Sequence, residues 1–420
     1  MTSFSRLGSA NTYDTAVQNI SNRQAALSNQ MEKNTSGKRI LRASDDPAGA
    51  AQAERALTRI SRIATDQRAL ESQRSSITQA ESTLGDVSDA LTNFRDLVVS
   101  AGSGVHTAAD RKTVAKQLTD LRDQIVNLAN TKDANGQPLF SSLGSALTPF
   151  VGPQSTAPDY KFNGQPGQTA SSEVSIPFSL DGDSAFMLQS ARDGTYNVSM
   201  GGANSTLQTD KVALITPPVA PFLVPGSSYK ISNISVVAGA TPGNSKAQYM
   251  VTETPAGATT ALAPVAYSSP EYLSTSKTIP ITVPGLSLNM TGTPTASDTL
   301  TIDPSASVFS VLDDAINDIG GAANSTAASQ AVSQALANID ISMGRISAVR
   351  GQAGDLLRHA DRITSSQDAR AIQMEADRSN AEDMDAMQGI SDVKKQETGY
   401  QVALQSYAQI QKLSLFNYLS

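Results

Sequence analysis

The strongest pattern in the chain is a seven-residue beat. Ile63, Leu70, Ile77, Leu84, Leu91 and Val98 stand seven apart, and Ala80, Val87, Phe94 and Ala101 follow the last four by three. An a/d stripe held over several heptads predicts one long helix from Pro47 to about Ala101 whose narrow apolar edge packs against other helices. At about 1.5 Å per residue that helix is roughly 80 Å long, so it cannot bury itself and must find partners elsewhere. Ser44, Asp45 and Asp46 offer capping acceptors just before Pro47, a residue suited to the first helical turn. Gly102 and Gly104 stand where a left-handed residue often closes a helix.

Two further strict seams lie near the chain ends. Tyr13, Val17, Ile20, Gln24, Leu27, Met31 and Asn34 alternate steps of four and three, with a polar Gln24 of the kind that fixes register. Thr35–Arg42, broken by Gly37, reads as a connector. Val114, Leu118, Leu121, Ile125 and Leu128 mark a third helix, and Asn135-Gly136 a turn. Late in the chain Val308, Phe309, Leu312, Ile316 and Ile319 begin a helix. A seam of Val332, Leu336, Ile339, Met343, Ile346, Arg350, Ala353, Leu357 and Ala360 follows it. Ile390, Val393, Glu397, Tyr400, Leu404 and Tyr407 define the last helix. Ile63, Leu70, Ile77, Leu84, Leu91, Val98, Leu336, Met343 and Leu357 are the expected core of the helical rod.

The middle is different in kind. All of the 19 prolines except Pro47 and Pro138 fall between Pro149 and Pro304, in a stretch rich in Ser, Thr, Gly and Ala and poor in charge. Short alternating runs at Glu173–Leu180, Tyr196–Met200, Tyr229–Val237, Gln248–Thr252 and Leu286–Met290 predict an inserted all-β, sandwich-like domain. The expected fold class is therefore α+β multidomain: a long antiparallel, coiled-coil-like helical bundle built from both termini, with a β insertion. The expected division is an N-terminal assembly helix and connector (1–42), the first half of the rod (43–140), the surface-exposed β domain (141–305), the second half of the rod (306–380) and a C-terminal assembly helix (381–420). The outer helices make a two-helix unit with little interior, its seam carrying Gln24 and Glu397. Such a pair is expected to be completed by neighbouring molecules.

Thr35-Ser-Gly-Lys-Arg-Ile40 followed by Ala43-Ser-Asp-Asp-Pro-Ala-Gly49 resembles the N-terminal block of the bacterial flagellin family, over about residues 1–140 and 305–420. Thr12-Tyr13-Asp14, the run Gly292–Pro304 and the ending Leu413-Ser-Leu-Phe-Asn-Tyr-Leu419 resemble members of that family that join hook to filament. In that strand Ser297 replaces a glycine and Leu300 an aromatic, and Ser141-Ser142 stand where glycine is usual. The resemblance implies a structural subunit, extracellular in the bacterial flagellum, exported by the flagellar type III apparatus without a cleaved signal peptide. It implies self-assembly into a ring, contact with a neighbouring hook-associated protein and with filament flagellin, and a cytosolic export chaperone for the C-terminal helix. By matching position, Tyr13, Val17, Ile20, Leu27, Leu404, Tyr407, Leu415 and Phe416 are the implied assembly interface. A filament flagellin, or a surface-displayed homologue binding polysaccharide through Tyr160, Tyr196, Tyr229, Tyr249, Tyr267 and Tyr272, are the alternatives.

Composition narrows the chemistry. A net charge of −7 argues against nucleic acid and an anionic membrane as partners, and with no cysteine there is neither a disulfide scaffold nor thiolate chemistry. No window approaches 18 apolar residues in a row. The two histidines, His106 and His359, lie in a glycine-rich turn and on a charged helix. No zinc-protease motif, phosphate loop or dinucleotide fingerprint occurs. Asp313-Asp314 and Glu382-Asp383-Asp385 read as hydrated helix faces. The sequence offers no catalytic constellation, cofactor site or metal site, and no enzyme activity is expected.

Overall fold

The structure, a computed structural model, describes residues 9–103, 106–155, 159–201, 207–218 and 220–419. Three helices come first: α1 (Ser9–Ser36), α2 (Pro47–Ala101) and α3 (Ala108–Ala129). A middle region carries β1 (Phe150–Val151), β2 (Lys161–Phe162), α4 (Gly182–Phe186), α5 (Ser190–Asp193) and strands β3 (Tyr196–Gly201), β4 (Gln208–Thr209), β5 (Ala213–Leu214) and β6 (Ser228–Ala238). Then come β7 (Asn244–Thr254), β8 (Val265–Ser268), β9 (Tyr272–Leu273), β10 (Thr278–Val283), β11 (Leu286–Thr291) and β12 (Thr299–Pro304). Helices α6 (Val308–Gly321), α7 (Ser325–Glu382) and α8 (Ala386–Leu419) end the chain. The chain divides into two units, Met1–Arg68 with Thr364–Ser420, and Ala69–Ile363.

Helix α2 starts as its cap residues dictate. Asp46 Oδ1 accepts the Gly49 N–H at 3.0 Å while the Asp46 carbonyl takes the first helical bond from Ala50. The other end differs from expectation. Gly102 is not left-handed; its reason is space, because a Cβ there would lie 3.2 Å from Val332 Cγ1. Gly104 lies outside the described residues.

In the larger unit, α2 and α7 run antiparallel, as Arg95–Asp340, Glu81–Arg350 and Arg74–Asp361 show. Leu70, Ile77, Leu84, Leu91 and Val98 are buried, with Ala80, Val87, Phe94 and Ala101 between them, whereas Ile63, expected in the same core, is only half-buried and falls in the smaller unit. On α7 the buried line is Val332, Ala335, Ile339, Ser342, Ile346, Val349, Ala353, Ala360 and Ile363. Half of the expected seam is thus displaced by one residue. Leu336, Met343 and Leu357 are half-buried flanks, and Arg350 reaches out to Glu81 Oε1. Two of the buried positions on α7, Ala335 and Ser342, are small residues.

The boundary drawn at residue 141 also moves. Leu139, Phe140, Phe150, Tyr160, Ile176, Leu180, Phe186 and Leu188 join the same core as α2, α3, α6 and α7. Phe186 stacks on Phe309 at 5.5 Å and meets Phe150 and Phe140 edge-on at 5.1 and 5.4 Å. Glu173–Leu180 forms no strand; its Ile176 N–H is taken by the buried Gln73 side chain of α2 at 3.0 Å. Beneath this cluster Arg122 donates to Asp313 at 2.6 Å and to the Tyr160 hydroxyl at 2.6 Å, and that hydroxyl donates to Asp313 at 2.8 Å. Burial pushes both the Tyr160 hydroxyl and the Asp313 carboxyl above their ordinary values.

The β domain proper runs from Tyr196 to Pro304. Its six-stranded antiparallel sheet has the order β3-β12-β6-β7-β8, with β9 also on β7. A four-stranded sheet, β10-β11-β4 with β5 on β11, shares one core with it. Tyr229, Ile231, Tyr249 and Val251 from one sheet meet Ile281, Leu286, Leu288 and Met290 from the other. Three amides of α7 fasten it to the helices. Gln330 takes the Thr209 N–H at 2.7 Å, Gln334 donates to the Asp210 carbonyl at 2.6 Å, and Asn338 donates to the Tyr196 carbonyl at 3.0 Å.

Candidate assembly surface

The smaller unit contains α1, α8 and the connectors that lead to them. The two helices are antiparallel. Arg23 lies against Gly399, where a Cβ would sit 2.8 Å from Nη1, and Asn34 lies near Gly389. Small residues such as Ala16, Ala26, Gly399 and Ala403 share the half-buried positions with Ile20, Leu27, Val393, Tyr400 and Tyr407. A groove of about 540 Å³ is lined by Ala16, Asn19, Arg23, Ala26, Gly399 and Ala403, among others.

Other large apolar residues of the pair are exposed. Val17 is 43% exposed, Met31 48%, Ile390 59%, Val402 55% and Leu404 41%. Ile20, Leu27 and Tyr407 are half-buried. Tyr13, Leu415 and Phe416 lie on these helices, but their side chains fall outside the described residues. The expected polar pair at the seam is corrected. Gln24 is exposed, sharing with Val17 and Met31 the outer stripe, whereas Glu397 is half-buried and pairs with Lys394 on its own helix at 3.0 Å. A two-helix seam needs only one face, so the beat on α1 divides: Val17, Gln24 and Met31 form an outer stripe, while Ile20 and Leu27 are half-buried.

The connectors clasp each other. Gly37, left-handed at φ +70°, ends α1 and accepts the Met384 N–H at 2.9 Å. Arg39 N–H donates to the Glu382 carbonyl at 2.8 Å, and its guanidinium reaches the Ala381 carbonyl at 2.7 Å. The Glu382 carboxylate is bound by Lys38 and by Arg378, and these two cations hold it below the usual carboxylate range. The block Thr35–Gly49 is thus a structural joint, with Ile40 buried at its centre.

Elsewhere the chemistry is sparse. Tyr160, Tyr196, Tyr229 and Tyr249 are core residues, and Tyr267 and Tyr272 pack partly on the same β core, so these rings form no sugar-stacking row. Among the described residues no cluster of three or more His, Asp or Glu is placed to hold a metal ion, and no helix is long and apolar enough to cross a membrane. His359 shares a contact with Arg362 at 3.3 Å.

The chain thus combines helices from both of its ends with an inserted antiparallel β sandwich, and its terminal helix pair carries large exposed apolar side chains. Residues 9–144 match the bacterial flagellin N-terminal helical region. Flagellar hook-associated protein 3 of Escherichia coli (strain K12) is 35% identical over 141 residues, covering 33% of this chain and 44% of that protein. The protein of the same name from Salmonella typhimurium is 33% identical over 148 residues, covering 34% and 46%. The chain thus spans less than half the length of these relatives in the matched region. Among solved structures, flagellar hook associated protein-3 from Legionella pneumophila has a TM-score of 0.58 at 24% identity, covering 77% of this chain and 97% of that one. FlgL of Xanthomonas campestris has a TM-score of 0.55 at 20% identity, covering 77% and 98%. Over residues 9–144 the chain is thus similar to the bacterial flagellin N-terminal region, and over about the same stretch to hook-associated protein 3.

Proposed function

We propose that this chain is the structural subunit that joins hook to filament in the bacterial flagellum, polymerising through α1 and α8. The observation that carries the reading is the exposure of the large apolar side chains Val17, Met31, Ile390, Val402 and Leu404 on this helix pair. Large side chains left in water on a marginal pair gain about 25 cal/mol per Å² when neighbours cover them. The likeness to hook-associated protein 3 supports the choice of the junction over the filament. In this reading identical copies form a ring, a hook-associated protein and flagellin flank it, and an export chaperone covers α8 before the chain leaves by the flagellar export route. The five-part division proposed from sequence is kept, except that residues 139–188 belong with the rod.

The test is a strain lacking this chain. Intact hooks with flagellin shed into the medium are expected. Normal attached filaments, or the absence of any exported flagellin, overturn the junction role, and long fibres formed by the purified chain alone point to a filament subunit instead.

A further inference from the structure

The β domain joins the helices at one root, where β3 leaves and β12 returns, and this root rests on α6. Ser305, just past β12, donates to Asp314 Oδ2 at 2.7 Å, and Asn197 of β3 donates to Asp318 Oδ2 at 2.9 Å. The two aspartates are one helical turn apart, hence on one face, and both are half-buried. The charges set against Asp314 are Asp318 on the same helix, Asp303 on β12 and Asp159 before β2; Asp303 also acts on Asp318. All are acidic. Arg122 of α3 is taken up by Asp313, Tyr160 and Asp123, and Asp159 is bound by Ser310. Within its sheet β3 pairs only with β12, so its hold on the molecule depends on these root contacts more than that of any inner strand.

We propose that Asp314 and Asp318 form a proton-dependent latch at this root, holding Ser305 and β3 when at most one of them is charged and loosening when both are ionised. Burial, helped by the acidic neighbours and opposed by the Ser305 hydrogen bond, raises Asp314 from 3.8 to about 7, and burial raises Asp318 as well. A carboxyl whose folded value is raised contributes stability that is complete below about 3.8 and is lost as pH rises through about 7. The loss therefore begins near 3.8 and runs up to about 7, with roughly its last tenfold step falling above about pH 6.

The test is amide hydrogen exchange on the full chain, corrected for intrinsic rates. Between about pH 6 and about pH 8 the protection of β3 and β12 amides is expected to fall roughly tenfold, while the β10–β11 hairpin keeps its protection. Asp314→Asn, of the same shape and always neutral, is expected to keep β3 protected at both values. Equal protection at the two values, or an equal loss in β10–β11, overturns the latch. Should the variant fail to fold, carbon-13 titration of the unaltered chain decides. An Asp314 carboxyl titrating near its ordinary value of 3.8 sinks the proposal, and one titrating near neutrality supports it.

Discussion

The two units use the same seven-residue beat to opposite ends. In the larger, the line Leu70 to Val98 meets α7 and is roofed by α3, α6 and the aromatic segment 139–188, so Ile77, Leu84, Phe94 and Ile339 are wholly buried. In the smaller, the buried apolar residues among those described are Ile40, Ala53, Ala56 and Ala381, while Leu57 is 41% and Ile372 72% exposed. Two helices alone offer each other one stripe; a third layer is what closes a core. Hydrophobic periodicity specifies partners, and only the supply of further layers decides whether those partners lie in the same molecule.

This contrast can be broken at several levels. The largest effect is expected from deletion of residues 1–34 or 390–420, which should abolish attachment of filaments to hooks while the remaining chain still melts cooperatively; attached filaments with either truncate would reverse the assignment of the ends. Leu404→Asp, a single charge on the outer row, should block assembly in a sedimentation assay and leave the unfolding of the β domain where it was. Phe94→Ala in the roofed core should cost about 3 to 5 kcal/mol in urea unfolding, the range for emptying a wholly buried aromatic site. Asp313→Ala strands the Arg122 guanidinium beneath the aromatic cluster and should cost about 3 kcal/mol by the same measurement. Smallest of all, Leu57→Ala should shift stability by no more than about 0.5 kcal/mol, and a loss as large as that of Phe94→Ala would show a core hidden in the smaller unit.

Much of this was legible from residue order. The cap at Asp46, the run of α2, and the strands at Tyr196, Tyr229, Gln248 and Leu286 follow directly from local chemistry. The α7 seam was half displaced because periodicity weighs Leu336 and Met343 above Ala335 and Ser342, whereas it is the smaller pair that is buried. Residues 139–188 look like the rest of the Pro/Gly-rich middle, and only their density of Phe and Tyr hinted at a different destination. Glu173–Leu180 alternates like a strand, but with no neighbour to pair it, its backbone was claimed by Gln73. On the terminal pair, Gly399, which lies against Arg23, and Ala403, which lines the groove, carry little weight in any hydrophobic pattern.

The three amides of α7 that grasp the β domain have a practical corollary for anyone grafting a foreign module onto this scaffold. Gln330, Gln334 and Asn338 stand four apart, buried, and between them demand one main-chain donor and two main-chain acceptors at fixed heights along the helix. A replacement lacking that complement would strand them dry, at about 1 to 3 kcal/mol apiece. Successful transplants should therefore either reproduce the backbone around Thr209, Asp210 and Tyr196 or recode those three helix positions as aliphatic residues.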